Sequence, residues 1–113
     1  MAVFNGAFPV LPGKEDAARA FAKEAAGPRA DQFAAQQARA DITRETWSFQ
    51  QTPMGSFVLV WFEGNVEKAF ADIATDTGEF ATWMKEQILD VTGVDMAAES
   101  DDPQPEIILD WSA

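Results

Sequence analysis

Few side chains of this sequence can carry out chemistry on a substrate. Its 113 residues include no Cys, His or Tyr, which excludes thiolate nucleophiles, Cys-ligated metals, iron–sulfur clusters and the commonest acid/base group. Any reaction has to use carboxylates, Lys, Arg, hydroxyls or amides, or a substrate that supplies most of the reactivity. We therefore expect no metal and no organic cofactor, and no residue identifies itself as catalytic.

Arg44 and Glu63 are the first candidate pair. The apolar and β-branched runs at 43–51 and 56–63 predict two strands, and Thr52-Pro53-Met54-Gly55 between them is typical of a tight turn. A loop of two or four residues places Arg44 opposite Glu63. The two residues then either form a cross-strand ion pair, or Arg44 anchors an anionic group of a substrate while Glu63 acts as a general base.

Three further residues are candidates for contact with a ligand. Trp61 shares a face with Glu63 and is either an anchor in a subunit interface or a wall of a cleft. Asn5 interrupts an apolar strand, which indicates a strand bulge or a polar anchor. Trp83 lies on an apolar helical stripe, where core packing competes with a place in the cleft. The ligand-binding candidates are thus Asn5, Arg44, Trp61, Glu63 and Trp83.

Alternation along the hairpin sorts its side chains into two faces. One face is apolar apart from Glu45 and should pack on the helices; it carries Trp47, Phe49, Val58, Val60 and Phe62. The other face is mixed, with Arg44, Thr46, Ser48 and Gln50 beside Phe57, Leu59, Trp61 and Glu63. We expect the mixed face to meet the same face of a second copy, to line a small-molecule cleft, or to do both.

The first half of the chain contains one more strand and one interrupted helix. Residues 2–11 are mostly apolar and predict a strand closed by Pro12-Gly13. An Ala-rich helical pattern covers 14–39, and Gly27-Pro28 predicts a break within it, because proline disrupts a helix interior.

The second half begins with a capped helix. Asn65 is a suitable N-cap for a helix over 66–74. An amphipathic segment follows from Phe80 to Val91, and Gly93 should end it. An acidic loop at 94–105 then leads to a last strand, Glu106–Trp111.

The order strand, helix, strand, strand, helix, strand predicts an α+β fold of the ferredoxin-like βαββαβ type. In that fold a four-stranded antiparallel sheet has its first and third strands in the centre, and helices cover one face. A chain of 113 residues is suited to one such domain, spanning 1–113.

Four short stretches add a family resemblance. Pro12-Gly13-Lys14, Ile42-Thr43-Arg44-Glu45, Phe80-Ala81-Thr82-Trp83 and Gly93-Val94-Asp95 resemble an uncharacterised bacterial branch of the dimeric α+β barrel superfamily. The resemblance implies a homodimer in which two ferredoxin-like sheets pack face to face and enclose ligand clefts.

The relatives implied by this resemblance have several activities. They include cofactor-independent monooxygenases, lactone isomerases and haem enzymes, and the haem enzymes use a His ligand that this sequence lacks. The monooxygenases pair Asn and Trp beside a reactive aromatic substrate, for which Asn5, Trp61 and Trp83 offer the residue types.

Charge and hydropathy limit the classes of partner that we expect for this protein. Nineteen acidic and eight basic residues give a net charge of −11, which disfavours nucleic acid and anionic membrane surfaces as partners. No apolar run approaches the roughly 18 residues of a membrane span. The first residues lack the basic and apolar regions of a secretion signal, so we expect a cytoplasmic protein.

Three functional hypotheses remain open. The first is a small-molecule-binding dimeric barrel of unknown activity. The second is a cofactor-independent monooxygenase or isomerase acting on an aromatic or enolisable compound. The third is a structural or interaction module whose sheet face only dimerises, and fold analogy does not decide among them.

Overall fold

The computed structural model describes residues 2–98 and 104–113. This part of the chain forms three strands and four helices, in the order β1 (Ala2–Val10), α1 (Glu15–Ala26), α2 (Ala30–Arg39), β2 (Arg44–Thr52), β3 (Gly55–Gly64), α3 (Val66–Thr75) and α4 (Glu79–Thr92). The fold is therefore α+β, as the sequence predicts.

The strands form one antiparallel sheet in the order β1-β3-β2. The predicted hairpin register is confirmed, because Arg44 pairs with Glu63 and Thr52 with Gly55. The turn is held by Thr52, whose hydroxyl accepts from the Met54 N–H at 3.1 Å and donates to the Gly55 carbonyl at 2.8 Å. Gly55 has a φ of 124°, a conformation that favours glycine.

The predicted four-stranded ferredoxin-like sheet, from which a dimeric α+β barrel would be assembled, is wrong. Residues 104–113 belong to no helix or strand and are all exposed, with Ile108 90% accessible. The run Ile107-Ile108-Leu109 has no apolar–polar alternation, so it offers no single face to bury as an edge strand requires. Without a fourth strand, β1 is an edge strand and not a central one.

The predicted helix boundaries are largely confirmed. The break at Gly27-Pro28 separates α1 from α2. Asn65 caps α3, since its side-chain oxygen accepts from the Lys68 N–H at 3.1 Å. Gly93 ends α4 in the left-handed conformation, with a φ of 77°. Residues 99–103 of the predicted acidic loop lie outside the described residues.

The helices pack on one face of the sheet, called here the inner face. On this face Phe4 and Phe62 stack at 5.3 Å between ring centroids, and Phe70 of α3 lies 4.9 Å from Phe4. Two buried clusters complete the core, one of Phe21, Ile73, Phe80 and Met84 and the other of Val10, Ala18 and Val91. The predicted helix-facing side of the hairpin is therefore confirmed.

The opposite face, called here the outer face, has no helix over it in the described chain. Thr46, Ser48 and Gln50 of β2 are exposed there, while Leu59 and Trp61 of β3 are half-buried. None of the helices described is both long and apolar enough to cross a lipid bilayer.

Candidate functional site

A cavity of about 320 Å³ lies between the inner face and the helices. Its walls are mainly apolar and include aromatic rings from β1, α1, α2, β2, β3 and α3. Of the inner-face side chains that the hairpin contributes, only that of Phe62 is buried, because the helices do not close over the rest. A mostly apolar cavity of this volume is typical of small-molecule sites.

One end of the cavity carries a cluster of polar side chains around Glu45. Gln37 of α2 donates from Nε2 to Oε1 of Glu45 at 2.7 Å, and Trp47 donates from its indole Nε1 to Oε2 at 2.5 Å. Both donors line the cavity together with the carboxylate. Each carboxylate oxygen is thus held by one neutral donor.

The fold places these groups through local features of the chain. Glu45 and Trp47 are two residues apart on β2, so both point to the inner face. Gln37 stands in the last turns of α2, where its carbonyl accepts from the Ile42 N–H at 3.0 Å. Asp41 takes a φ of 53°, which lets the chain turn directly from α2 into β2.

The charge of Glu45 is poorly solvated. Burial raises the pKa of its carboxyl, and the hydrogen bonds from Gln37 and Trp47 offset part of that rise because they stabilise the carboxylate. None of the ion pairs formed by residues 2–98 and 104–113 includes Glu45. The site therefore holds a carboxylate without a counter-charge.

Gln36 contributes a second acceptor to the cavity wall. Its side-chain oxygen Oε1 is buried and has no hydrogen-bond partner among the described residues. An unpaired buried acceptor costs about 1–3 kcal/mol. Because this oxygen has almost no accessible surface, a bound molecule could donate to it only after the Gln36 side chain turned.

Arg19 marks the other end of the cavity. Its guanidinium carbon lies 4.4 Å from the ring centroid of Phe49, and its side chain is 52% exposed. Phe49 follows Glu45 by four residues on the same face, which is about 13 Å along a strand. Arg19 and Glu45 are the only charged residues in the cavity wall described here.

Four of the five predicted site residues come together, but on the outer face. The register aligns Asn5 with Trp61, and Glu63 with Arg44, across neighbouring strands. No helix of the described chain covers this outer-face group. The predicted cleft and the observed cavity thus lie on opposite sides of the sheet.

Two details of this outer-face group differ from expectation. Arg44 and Glu63 are paired in register but make no salt bridge in the described chain, since Arg44 is exposed and water solvates its charge. Asn5 is exposed on the outer face, so its amide is hydrated and no bulge is needed to accommodate it.

Trp83 is not part of either group. It packs against Phe21 at 5.3 Å and Phe80 at 5.6 Å between ring centroids, on the side of α4 that faces α1. The guanidinium carbon of Arg29 lies 4.3 Å from its ring centroid. Trp83 therefore belongs to the helical packing beside the cavity.

One feature of the sequence points to the polar cavity residues that were not among the predicted site residues. Glu45 is the only charged member of an otherwise apolar strand face, and a charge at such a position needs partners. Its partner Gln37 and the neighbouring Gln36 carry no comparable signal, because α2 is rich in Ala and Gln on all sides.

Two other features of the described residues are weaker. A surface depression of about 460 Å³ is bounded by only Ala2, Asp41 and residues 64–67, so it is broad but shallow. No group of three or more acidic side chains in the described chain is arranged to hold a metal ion.

Comparison of the chain with known protein families, with curated proteins and with solved structures finds no match.

Proposed function

We propose that the protein binds a small, predominantly apolar molecule in the cavity between the inner face and the helices. The observation that supports this most directly is a volume of about 320 Å³ with apolar walls and one polar end at Glu45. An apolar body would bury against the rings, and the polar end would fix its orientation.

The experiment that tests this proposal fills the cavity. Val60 lies on the inner face of β3 and lines the cavity, so Val60→Phe should reduce the affinity for phenylbutanol, a neutral probe, by at least about tenfold. Calorimetry or tryptophan fluorescence measures the binding.

Leu59→Phe is the matched control, since Leu59 is the neighbouring residue of the same strand and points to the outer face. It should bind the probe like the wild type. Equal binding by both variants, or no binding by the folded wild type up to millimolar concentration, would contradict the proposal.

A second candidate function is proton transfer on an enolisable compound, and it is favoured by one observation. Glu45 is a carboxyl group whose pKa is raised by burial beside an apolar cavity, which suits a general base working near neutral pH. Deuterium exchange into phenylacetone, followed by NMR in D₂O, should be faster with the wild type than with Glu45→Gln. Equal rates would exclude this role.

The outer face supports self-association of two copies. Leu59 and Trp61 are half-buried on an uncovered sheet, and polar residues of β1 and β2 flank them. Such a face can be self-complementary about a twofold axis. Sedimentation should show a dimer that Leu59→Lys dissociates, whereas Leu89→Lys, at an exposed position of α4, leaves it intact. A monomeric wild type would contradict dimer formation.

A further inference from the structure

The fold leaves the carboxylate of Glu45 without a cation. The ion pairs of the described residues join other groups, among them Lys14 with Asp90 at 2.8 Å and Lys68 with Asp72 at 2.7 Å. The other charged side chain of the cavity, Arg19, lies beside Phe49 at the far end and pairs with Asp16 at 3.2 Å. A carboxylate withdrawn from water is stable only when it is well paired, so this half-buried one is suited to a cationic guest.

Hydrogen bonding at this end of the cavity favours a donor in the guest. The indole N–H of Trp47 and one of the two N–H groups of Gln37 Nε2 are already used by Glu45. The carboxylate of Glu45 keeps unused lone pairs, which accept further hydrogen bonds. An ammonium group has several donors and no acceptor, so it matches this set.

The rings next to Glu45 also favour a cation. Trp47 lies beside the carboxylate. The rings of Phe21 and Phe33 lie 5.1 and 5.8 Å from the Trp47 ring, measured between centroids. The face of an aromatic ring attracts an ammonium group, most strongly where water is excluded. Carboxylate and rings would then stabilise the same charge.

The charge of the whole chain acts in the same direction. A net charge of −11 surrounds the protein with a negative potential. Such a potential raises the local concentration of organic cations and lowers that of organic anions.

We propose, resting on the proposed function above, that the cavity binds a hydrophobic amine, with its ammonium group at Glu45 and its apolar body against the apolar walls. Proton and charge stay with the amine, and no bond is formed or broken. The competing orientation, an organic anion at Arg19, is an outcome of the test.

The test compares three probes of matched skeleton, phenylbutylamine, phenylbutanol and phenylpentanoate, with the full chain by calorimetry. A charge-assisted hydrogen bond in a desolvated site should make the amine bind about tenfold more tightly than the alcohol. The carboxylate probe should bind more weakly than both.

The Glu45→Gln variant tests the assigned residue. It should lose the preference for the amine while it still binds the alcohol, which reports an intact cavity. Glu63→Gln is the matched control, because Glu63 is a glutamate of the same sheet on the outer face, and it should keep the preference.

The outcomes separate this inference from the proposed function. Equal binding of amine and alcohol by the wild type, or tightest binding of the carboxylate, would overturn the amine assignment and leave the cavity as a binding site. A preference for the amine that survives in Glu45→Gln would overturn the role of Glu45. If none of the three probes binds, the proposed function itself is contradicted.

Discussion

Glu45 occupies an inner-face position of β2 between an aromatic cavity and the end of α2. Desolvation disfavours its charged form, and two neutral donors, Gln37 and Trp47, hold that form in place. The folded protein therefore binds a proton at this carboxyl more tightly than the unfolded chain does. The stability of the protein should carry this signature.

The first prediction concerns the pH dependence of that stability. Because the pKa of Glu45 is raised in the folded state, ionisation of this group works against folding. The free energy of unfolding of the wild type, minus that of Glu45→Gln, should fall as pH rises from below the ordinary Glu range of about 4 to about 7. Urea unfolding at a series of pH values measures the difference.

In this difference the contributions of the other carboxylates to the free energy of unfolding cancel, because both proteins contain them. A difference that grows with pH would mean that the fold stabilises the carboxylate, contrary to the environment described for Glu45.

The second prediction concerns the cap of α3. Asn65→Ala removes the acceptor of the Lys68 N–H and should lower the free energy of unfolding by about 1 kcal/mol. Asn65→Asp keeps an acceptor and adds a favourable charge at the helix N-terminus, so it should retain the stability. Thermal or urea unfolding compares the variants, and an equal loss in both would argue against the cap.

At the residue scale the sequence predicted neighbours better than it predicted the site. Period-two alternation sorted the hairpin correctly, so the meeting of Arg44, Trp61 and Glu63 on one face was foreseeable. The cavity was not, because its other wall depends on how α2 is rotated about its axis. An Ala- and Gln-rich helix has no narrow apolar stripe to fix that rotation.

At the scale of elements, strong local signals were reliable and weak ones were not. The hairpin, the N-cap at Asn65 and the stop at Gly93 each depend on contacts within a few residues, and all three are confirmed. The strand over Glu106–Trp111 required pairing with a distant edge, which composition alone does not specify. High β-propensity was mistaken there for strand formation.

The third prediction tests that correction. Deletion of residues 106–113 removes a segment that is exposed throughout and lies outside the sheet, so the free energy of unfolding should change by no more than about 0.5 kcal/mol. Urea unfolding of the full and shortened chains measures the change. A loss of several kcal/mol would show that this segment pairs with the sheet after all.

At the scale of the whole molecule, the outer face and the net charge oppose each other. Apolar side chains at Leu59 and Trp61 favour association, while two copies that each carry a charge of −11 repel. The balance between these effects should depend on ionic strength.

The fourth prediction follows from that balance. Raising the salt concentration from about 0.01 M to about 1 M shortens the range of the repulsion from about 30 Å to about 3 Å, so the dimer should form at lower protein concentration. Analytical ultracentrifugation measures the dissociation constant, with Leu59→Lys as the non-associating reference. Weaker association at high salt would mean that ion pairs, not apolar contacts, hold the copies together.

Arg29 joins three helices at one side of the cavity, and this contact affects where a ligand can enter. Its guanidinium lies 3.0 Å from Glu79 of α4 and 3.7 Å from Glu24 of α1, and its central carbon is 4.3 Å from the ring centroid of Trp83. The helices α1, α2 and α4 are joined there, whereas α3 lies outside this contact and has a single buried residue, Ile73, against five in α4. A ligand should therefore enter the cavity at α3. Native-state hydrogen exchange should accordingly be faster in α3 than in α4. Slower exchange in α3 would place the entrance at the side where Arg29 joins the helices.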